Sequence, residues 1–429
     1  MPLEDWMAAI IDYRGKTPEK TSSGIPLVTA KIVKGGRIED PEEFIAEDAY
    51  EQWMRRGIPE AGDVVLTTEA PLGEVAQLDG RKVALAQRII TLRGKPGLLD
   101  NTYLKFALQS QRIQEQLHGR ASGSTVTGIK QSELRKLQLT FPSIEEQQRV
   151  ARILGSLDDK IEINRRINQT LEAMAQAIFK SWFVDFDPVK AKIAAIAEGR
   201  DPQRAAMSAI SGKPETELDA MPPEQYAQLA VTAALFPDEM EASELGDIPR
   251  GWSVSKVETL LSRLSAKARY TKEQVSEYGQ IPVFEQGASI LLGYHNGVAY
   301  YPASAESPMF IFGDHTCVTR LSCQPFDISQ NVIPLQGKDR ATAWVYYAIK
   351  EKQKFQEYRR HWMELISKDV VVAAADICLE FSKRISKLHL QIEANERQMQ
   401  SLRELRDTLL PKLLSGKLSV TETIVENEA

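Results

Sequence analysis

Gln87-Arg88-Ile89-Ile90-Thr91-Leu92-Arg93-Gly94-Lys95 returns later in the chain as Gln330-Asn331-Val332-Ile333-Pro334-Leu335-Gln336-Gly337-Lys338, at an offset of 243 residues. After a two-residue gap in the alignment, Tyr103-Leu104-Lys105-Phe106-Ala107-Leu108 matches Trp344-Val345-Tyr346-Tyr347-Ala348-Ile349. Upstream, Ile25-Pro26-Leu27 has its counterpart in Ile281-Pro282-Val283. These runs are expected to alternate as strands do and to switch to helical spacing after each Gly-Lys. Three matches in one order imply two copies of one α/β domain, because a repeat in sequence marks a repeated structural unit.

A long helix is expected after each copy. Leu154, Leu157, Ile161, Asn164, Asn168, Leu171, Ala175, Ile178 and Trp182 follow a 3,4,3,4 spacing, and Ile385, Leu388, Ile392, Asn395, Met399, Leu402, Arg406, Leu409 and Leu413 repeat it at an offset of 231. That stripe is the narrow seam of a coiled coil. Asn164 and Asn395 fall at the same place in both seams, where a buried amide costs stability and can fix register; a wet edge is the plainer reading. Arg406 breaks the second seam, and Leu405 is the local substitute. Ser143 with Glu146 reads as the cap of the first helix, which ends near Asp185-Phe186-Asp187-Pro188, while Pro411 is expected to kink the second about a turn before Ser415-Gly416. Since the chain must return to begin its second copy, the two helices are expected to pair antiparallel. The predicted fold is therefore α+β: two duplicated mixed α/β domains held apart by two long antiparallel coiled-coil helices.

The 429 residues exceed one compact core, and 43% hydrophobic with 26% charged residues is an ordinary globular balance. The apolar runs are short and interrupted, and Met1-Pro2-Leu3-Glu4-Asp5 lacks the apolar core of a secretory signal. Cys317, Cys323 and Cys378 form no CxxC pair, and a reducing cytoplasm fits them. Of the net charge of −6, the acidic excess concentrates in residues 190–249, which read as a partly helical, solvated connector. The two duplicated stretches are neutral or slightly basic, so nucleic acid is permitted without being demanded.

Catalytic patterns are poorly matched. Gly123-Ser124-Thr125-Val126-Thr127-Gly128-Ile129-Lys130 places its Lys one residue late for a phosphate loop. Met221-Pro222-Pro223-Glu224 has prolines without the partners that grip a target base in DNA amino-methyltransferases. Asp158-Asp159-Lys160 superficially suits a metal-dependent nuclease but lies within the heptad helix, where the solvated-face reading is preferred. His118 and His389 default to surface or core roles, and five scattered histidines suit a metal hydrolase badly.

Duplex recognition needs cations for phosphates and polar forks for base edges. Candidates in the first copy are Lys31, Lys34 and Arg37 around Gly35-Gly36, then Arg120, Ser124 and Thr125. The second copy offers Tyr294, His295 and Asn296, then Arg359, Arg360 and Trp362. Each cluster also reads as an ordinary exposed turn.

Gly123-Ser124-Thr125, Phe141-Pro142, Glu145-Glu146-Gln147 and Ile153-Leu154-Gly155-Ser156-Leu157-Asp158-Asp159-Lys160-Ile161 together resemble the specificity subunit of type I restriction–modification systems. Ile178-Phe179-Lys180-Ser181-Trp182-Phe183-Val184-Asp185-Phe186, Ser243-Glu244-Leu245-Gly246-Asp247-Ile248-Pro249 and Leu409-Leu410-Pro411-Lys412-Leu413-Leu414-Ser415-Gly416 extend the resemblance over essentially the whole chain. It departs twice. The first copy lacks the Gly251-Trp252 header of the second, and the second has Ala375-Asp376-Ile377-Cys378-Leu379-Glu380 in place of a Pro-x-x-Glu-x-Gln run. The resemblance implies target-recognition domains at 1–142 and 250–384, conserved long helices at 143–189 and 385–420, a connector at 190–249 and a tail at 421–429. It implies a DNA-binding subunit without catalytic activity that reads a bipartite double-stranded target. Two modification subunits carrying S-adenosylmethionine, and restriction motor-nuclease subunits using ATP and Mg, are the implied partners; this chain itself is expected to bind no cofactor or metal. Leu157, Ile161, Asn164, Leu171, Ile178, Leu388, Ile392, Asn395, Leu402 and Leu409 are the seam residues of the implied spacer. A self-contained methyltransferase and a coiled-coil scaffold without DNA remain the other classes.

Overall fold

The computed structural model describes residues 1–13, 15, 17–123, 127–265 and 269–418. The chain divides into two compact units, Met1–Ile161 with Ser401–Ala429, and Glu162–Gln400. Each unit holds one copy of the repeat and a stretch of both long helices. No helix among the described residues is long and apolar enough to cross a membrane.

In the first copy the strand Ile89–Gly94 lies inside a four-stranded antiparallel sheet, ordered Met7–Asp12, Ile89–Gly94, Val64–Thr68, Leu72–Gln77. The second copy repeats that order with Leu261–Arg263, Val332–Gly337, Met309–Gly313 and Thr319–Ser322. A smaller sheet recurs as well. Ile25–Val28 pairs antiparallel with Phe44–Ile45 and parallel with Ala84–Leu85, just as Ile281–Phe284 pairs with Leu291–His295 and Asp327–Ile328. The central strands do not alternate as expected: they are buried on both sides, and their residues form continuous apolar runs for that reason.

The repeated glycine has a steric cause. A Cβ on Gly94 would lie 2.5 Å from the Leu99 carbonyl oxygen, and one on Gly337 would lie 2.4 Å from that of Arg340. At both places the strand doubles back into a helix, Asn101–Gln109 or Thr342–Ile349. The glycine N–H donates to the first helical side chain, Asn101 Oδ1 at 2.8 Å and Thr342 Oγ1 at 3.2 Å. Asp100 caps the first of these helices by accepting from the Tyr103 N–H.

The long helices span Ile144–Phe183 and Ala375–Leu414, 40 residues each. The second therefore begins ten residues before the expected 385. Its added turns carry Ile377, Cys378 and Phe381, all buried in the core of the second copy. Cys378 stands where the first helix has Gln147, a buried amide that accepts from the Asp100 N–H and donates to the Leu98 and Pro142 carbonyls. The departure at Ala375-Asp376-Ile377-Cys378-Leu379-Glu380 thus replaces a buried polar stitch by a small apolar one without delaying the helix. The second helix runs through Pro411 and ends at Leu414, just before Ser415-Gly416 as expected.

Every seam position named above is buried or half-buried. In the second unit Asn164 Nδ2 donates to Gln398 Oε1 at 2.7 Å, Asn395 Nδ2 to Asn168 Oδ1 at 2.8 Å, and Asn168 Nδ2 to the Ile392 carbonyl at 3.1 Å. Numbers rise along one helix as they fall along the other, so the pair is antiparallel. In the first unit Arg406 keeps its seam position by binding Asp158 Oδ1 at 2.8 Å, while Leu405 is 48% exposed and takes no part. Asp158 also holds the buried Lys105, so it is not the solvated acid expected from its sequence context.

The connector is more ordered than its composition predicted. Helices Asp187–Ala197, Pro202–Ser211 and Pro223–Ala234 enclose a small core of Ala206, Met207, Leu218, Leu229 and Ala233, and a hairpin follows at Met240–Pro249. Part of its acid is paired, Glu198 and Glu215 with Arg200, and Asp219 with Arg204.

Gly94→Ala and Gly337→Ala are each expected to cost about 1–3 kcal/mol through overpacking. Gly80→Ala, which meets nothing within 4 Å, is expected to stay within about 0.5 kcal/mol. Urea unfolding of the three variants measures the contrast.

Candidate nucleic-acid interface

In the first copy, Lys31, Lys34 and Arg37 surround the hairpin Val33–Lys34/Arg37–Ile38, whose turn residues Gly35 and Gly36 have φ of 55° and 85°. That left-handed pair is natural only to glycine. All three cations face carboxylates: Lys31 meets Glu42 at 2.6 Å, and Lys34 and Arg37 both meet Glu39 at 3.4 Å. These pairs are solvent-exposed and individually weak, so a phosphate competes with them on modest terms. Arg120 lies 3.4 Å from Glu133, at the start of a loop closed by a bridge between Ser122 and Gly128. Ser124 and Thr125 lie outside the described residues.

In the second copy the turn at 294–296 is committed to its own architecture. Tyr294 exchanges backbone hydrogen bonds with Ser276. The His295 ring stacks on Tyr270 with centroids 4.5 Å apart, its Nδ1 accepts from the Gly297 N–H, and Nε2 lies 2.9 Å from Asp327 Oδ2. An accepting Nδ1 places the neutral ring's proton on Nε2, facing Asp327. Burial pushes the Asp327 carboxyl up, against the hydrogen bonds from Tyr300 and His295 that favour its charged form. Asn296 Oδ1 accepts from the Gln280 N–H. The polar ends that suggested base reading here shape the turn instead.

The return segment ahead of the second long helix is more open. Arg359 is held by Glu357 at 2.9 Å and Glu364 at 3.0 Å. The Arg360 side chain is 82% exposed, 3.9 Å from Asp314. Trp362 is half-buried against Phe312 and the Arg263 guanidinium, and its backbone N–H donates to Asp314 Oδ1, so it is a packing residue. Phe355, Tyr358 and Met363 are exposed on the same segment, with the Tyr358 ring 4.8 Å from that of His315. Those neighbours were not singled out in the sequence, although Tyr358 directly precedes the Arg-Arg pair; its approach to His315, 43 positions away in sequence, is a product of the fold.

Buried polar groups seat the second copy on the long helices. Glu172 accepts from Lys350 and from the Tyr347 hydroxyl, whose oxygen lies 2.9 Å from His389 Nε2. Burial lowers the His389 pKa to about 4, so its ring is neutral. Glu393 is fully buried, with Oε1 accepting from the Cys323 N–H at 2.7 Å and the Ser322 hydroxyl at 3.3 Å, and Oε2 unpartnered among the described residues. Burial raises its pKa from 4.5 to about 7. Arg320, on the same strand as Ser322, pairs with Glu396 one turn further along the helix.

A family described as "Type I restriction modification DNA specificity domain" matches residues 13–173. The HindI specificity subunit of a type I restriction enzyme from Haemophilus influenzae is 31% identical over 319 residues, which are 66% of this chain and 69% of that one. The chain belongs to the type I restriction enzyme specificity subunits. The MjaIX specificity subunit of Methanocaldococcus jannaschii is 23% identical over 441 residues, 95% of this chain and 90% of that one. The crystal structure of the type I restriction-modification S subunit from M. genitalium shares the fold, with a TM-score of 0.52 at 16% identity over 98% of this chain and 96% of that one.

For this specificity subunit, Arg360→Gln is expected to reduce the slope of log affinity for duplex DNA against log salt by about 0.9, one phosphate contact. Arg359→Gln is expected to reduce it less, because Glu357 and Glu364 already engage that cation. Folded Glu393 holds its proton to about pH 7, where the unfolded chain has released it above about 4.5. Its contribution to stability is therefore present below about pH 4.5 and lost as pH rises towards 7 and beyond. Glu393→Gln is expected to stabilise the protein by about 3 kcal/mol more at pH 8 than at pH 4.5, read from urea unfolding at the two pH values.

Proposed function

We propose that this chain is the non-catalytic DNA-reading subunit of a type I restriction–modification complex, each copy of its repeat reading one half of a bipartite duplex target. The observation that carries the reading is the duplication. Two copies keep one strand order, one glycine corner and one buried helix, while their polar loops differ in length and chemistry. A constant scaffold with divergent loops is what two readers of different half-sites require, since base edges are read by loop side chains held on a rigid frame. The paired 40-residue helices serve as the spacer between readings and as the docking surface for two modification subunits. Those subunits supply S-adenosylmethionine chemistry on adenine, and the restriction subunits supply ATP- and Mg-dependent translocation and cleavage. Lys31, Lys34, Arg37, Arg120 and Arg360 supply the phosphate contacts in this reading.

Replacing residues 1–140 by the equivalent part of another specificity subunit is expected to change one half of the methylated target and leave the other intact. Methylome sequencing of a strain expressing the chimera with its modification subunit measures this. A change in both halves together defeats the two-reader proposal.

A further inference from the structure

Two equivalent backbone junctions stand out once the copies are matched residue by residue. In the first copy the Thr68 N–H donates to the Arg88 carbonyl at 2.9 Å, and the Thr68 carbonyl accepts from the Ile129 N–H at 3.0 Å. In the second, the Asp314 N–H donates to the Asn331 carbonyl at 3.0 Å, and the Asp314 carbonyl accepts from the His361 N–H at 2.8 Å. Each junction joins the turn of the central hairpin, the residue just ahead of the repeated strand, and the segment returning after the buried helix.

We infer that these junctions are the base-reading surfaces, with Glu69 and Arg88 as specificity-determining residues of the first copy and His315 and Asn331 as their equivalents in the second. The assignment rests on the two-reader function proposed above. Identical backbone bonds hold different hydrogen-bonding ends at matched positions, whereas the flanking Gln87 and Gln330 are the same residue. A structural joint has no need to exchange an Arg–Glu pair for a His–Asn pair on an unchanged frame. A reader of two different sequences does.

The side chains suit the task. Glu69 and Arg88 are partly exposed, 3.1 Å apart, and a guanidinium fork matches the guanine major-groove edge while a carboxylate accepts from a cytosine amino group. Asn331 supplies the amide that matches adenine. His315 is positioned from behind, its backbone N–H donating to Gln286 Oε1 at 3.0 Å and its ring Nδ1 3.4 Å from Gln286 Nε2. Exposed Tyr358 and Arg360 flank that junction through His315 and Asp314, placing an aromatic face and a phosphate-seeking cation beside the reading groups.

The test uses the full chain and a pool of duplexes randomised over both half-sites, with bound molecules sequenced. Arg88→Gln is expected to relax base preference about tenfold at one or two positions of one half-site. Asn331→Asp, which keeps a residue tolerant of the φ of 59° there, is expected to do the same in the other half only. Arg88→Lys retains the charge but loses the fork, so it is expected to relax the same position as Arg88→Gln while affinity for unselected DNA holds. Wild-type preference at every position in all three variants, or relaxation by Arg88→Gln and Asn331→Asp in the same half, overturns the assignment. A wild-type chain with no sequence preference overturns the reader function itself, and the assignment with it.

Discussion

Two helices with narrow apolar stripes must find one another, and buried amides decide where they stop. Asn395 donates to Asn168, Asn168 to the Ile392 carbonyl, and Asn164 to Gln398. A slip along the seam would leave the buried Asn164 and Asn395 without partners, at a cost of about 1–3 kcal/mol each. Aliphatic residues alone would pack nearly as well after a slip of one heptad. The amides remove that degeneracy. The rest of the chain depends on this register because each copy of the repeat completes its core on the helix pair. Leu104, Phe106 and Leu108 share a cluster with Val150, Leu154 and Leu413 in the first unit, and Trp344, Tyr347 and Ile349 share one with Trp182, Phe183, Phe381 and Ile385 in the second.

The two copies are seated on the helices by different charge chemistry. The first uses Lys105, Asp158 and Arg406, two cations on one carboxylate, and that pairing explains why a seam tolerates an arginine. The second uses Glu172 with Lys350, Tyr347 and a neutral His389, and adds Glu393 clasping the strand at Ser322 and Cys323. Groups buried this deeply are stable only while their partners remain, so each joint reports on the integrity of its copy. A duplicated backbone has accepted two solutions to the same docking problem.

Several departures from the sequence-based expectations share one origin. Arg406 looked like a break in the seam and Asp158 like a solvated acid; neither could be judged without the other, 248 residues away. Trp362 looked like an exposed aromatic, but Arg263 and Phe312 cover it. His295 and Asn296 looked free for base edges, yet Asp327, Gly297 and Gln280 occupy them. The acidic connector looked mostly solvated, yet its alanines and methionine close a small core.

What the sequence determined by itself was periodic and local. The repeat, the glycine corners, the two seams at a constant offset and the antiparallel logic of a returning chain follow from spacing and from the conformational limits of single residues. Those signals survive without knowledge of what lies across the core. Only the tertiary structure decided which polar side chains are available. Hydrogen bonds and ion pairs that consume a side chain come from distant residues as well as near ones, as Asp327 does for His295 and Asp158 for Arg406, and exposure is a property of the packed whole. It also aligned Thr68 with Asp314, a correspondence carried by their backbone hydrogen bonds to Arg88 and Asn331 rather than by residue type, and so invisible to any comparison of letters.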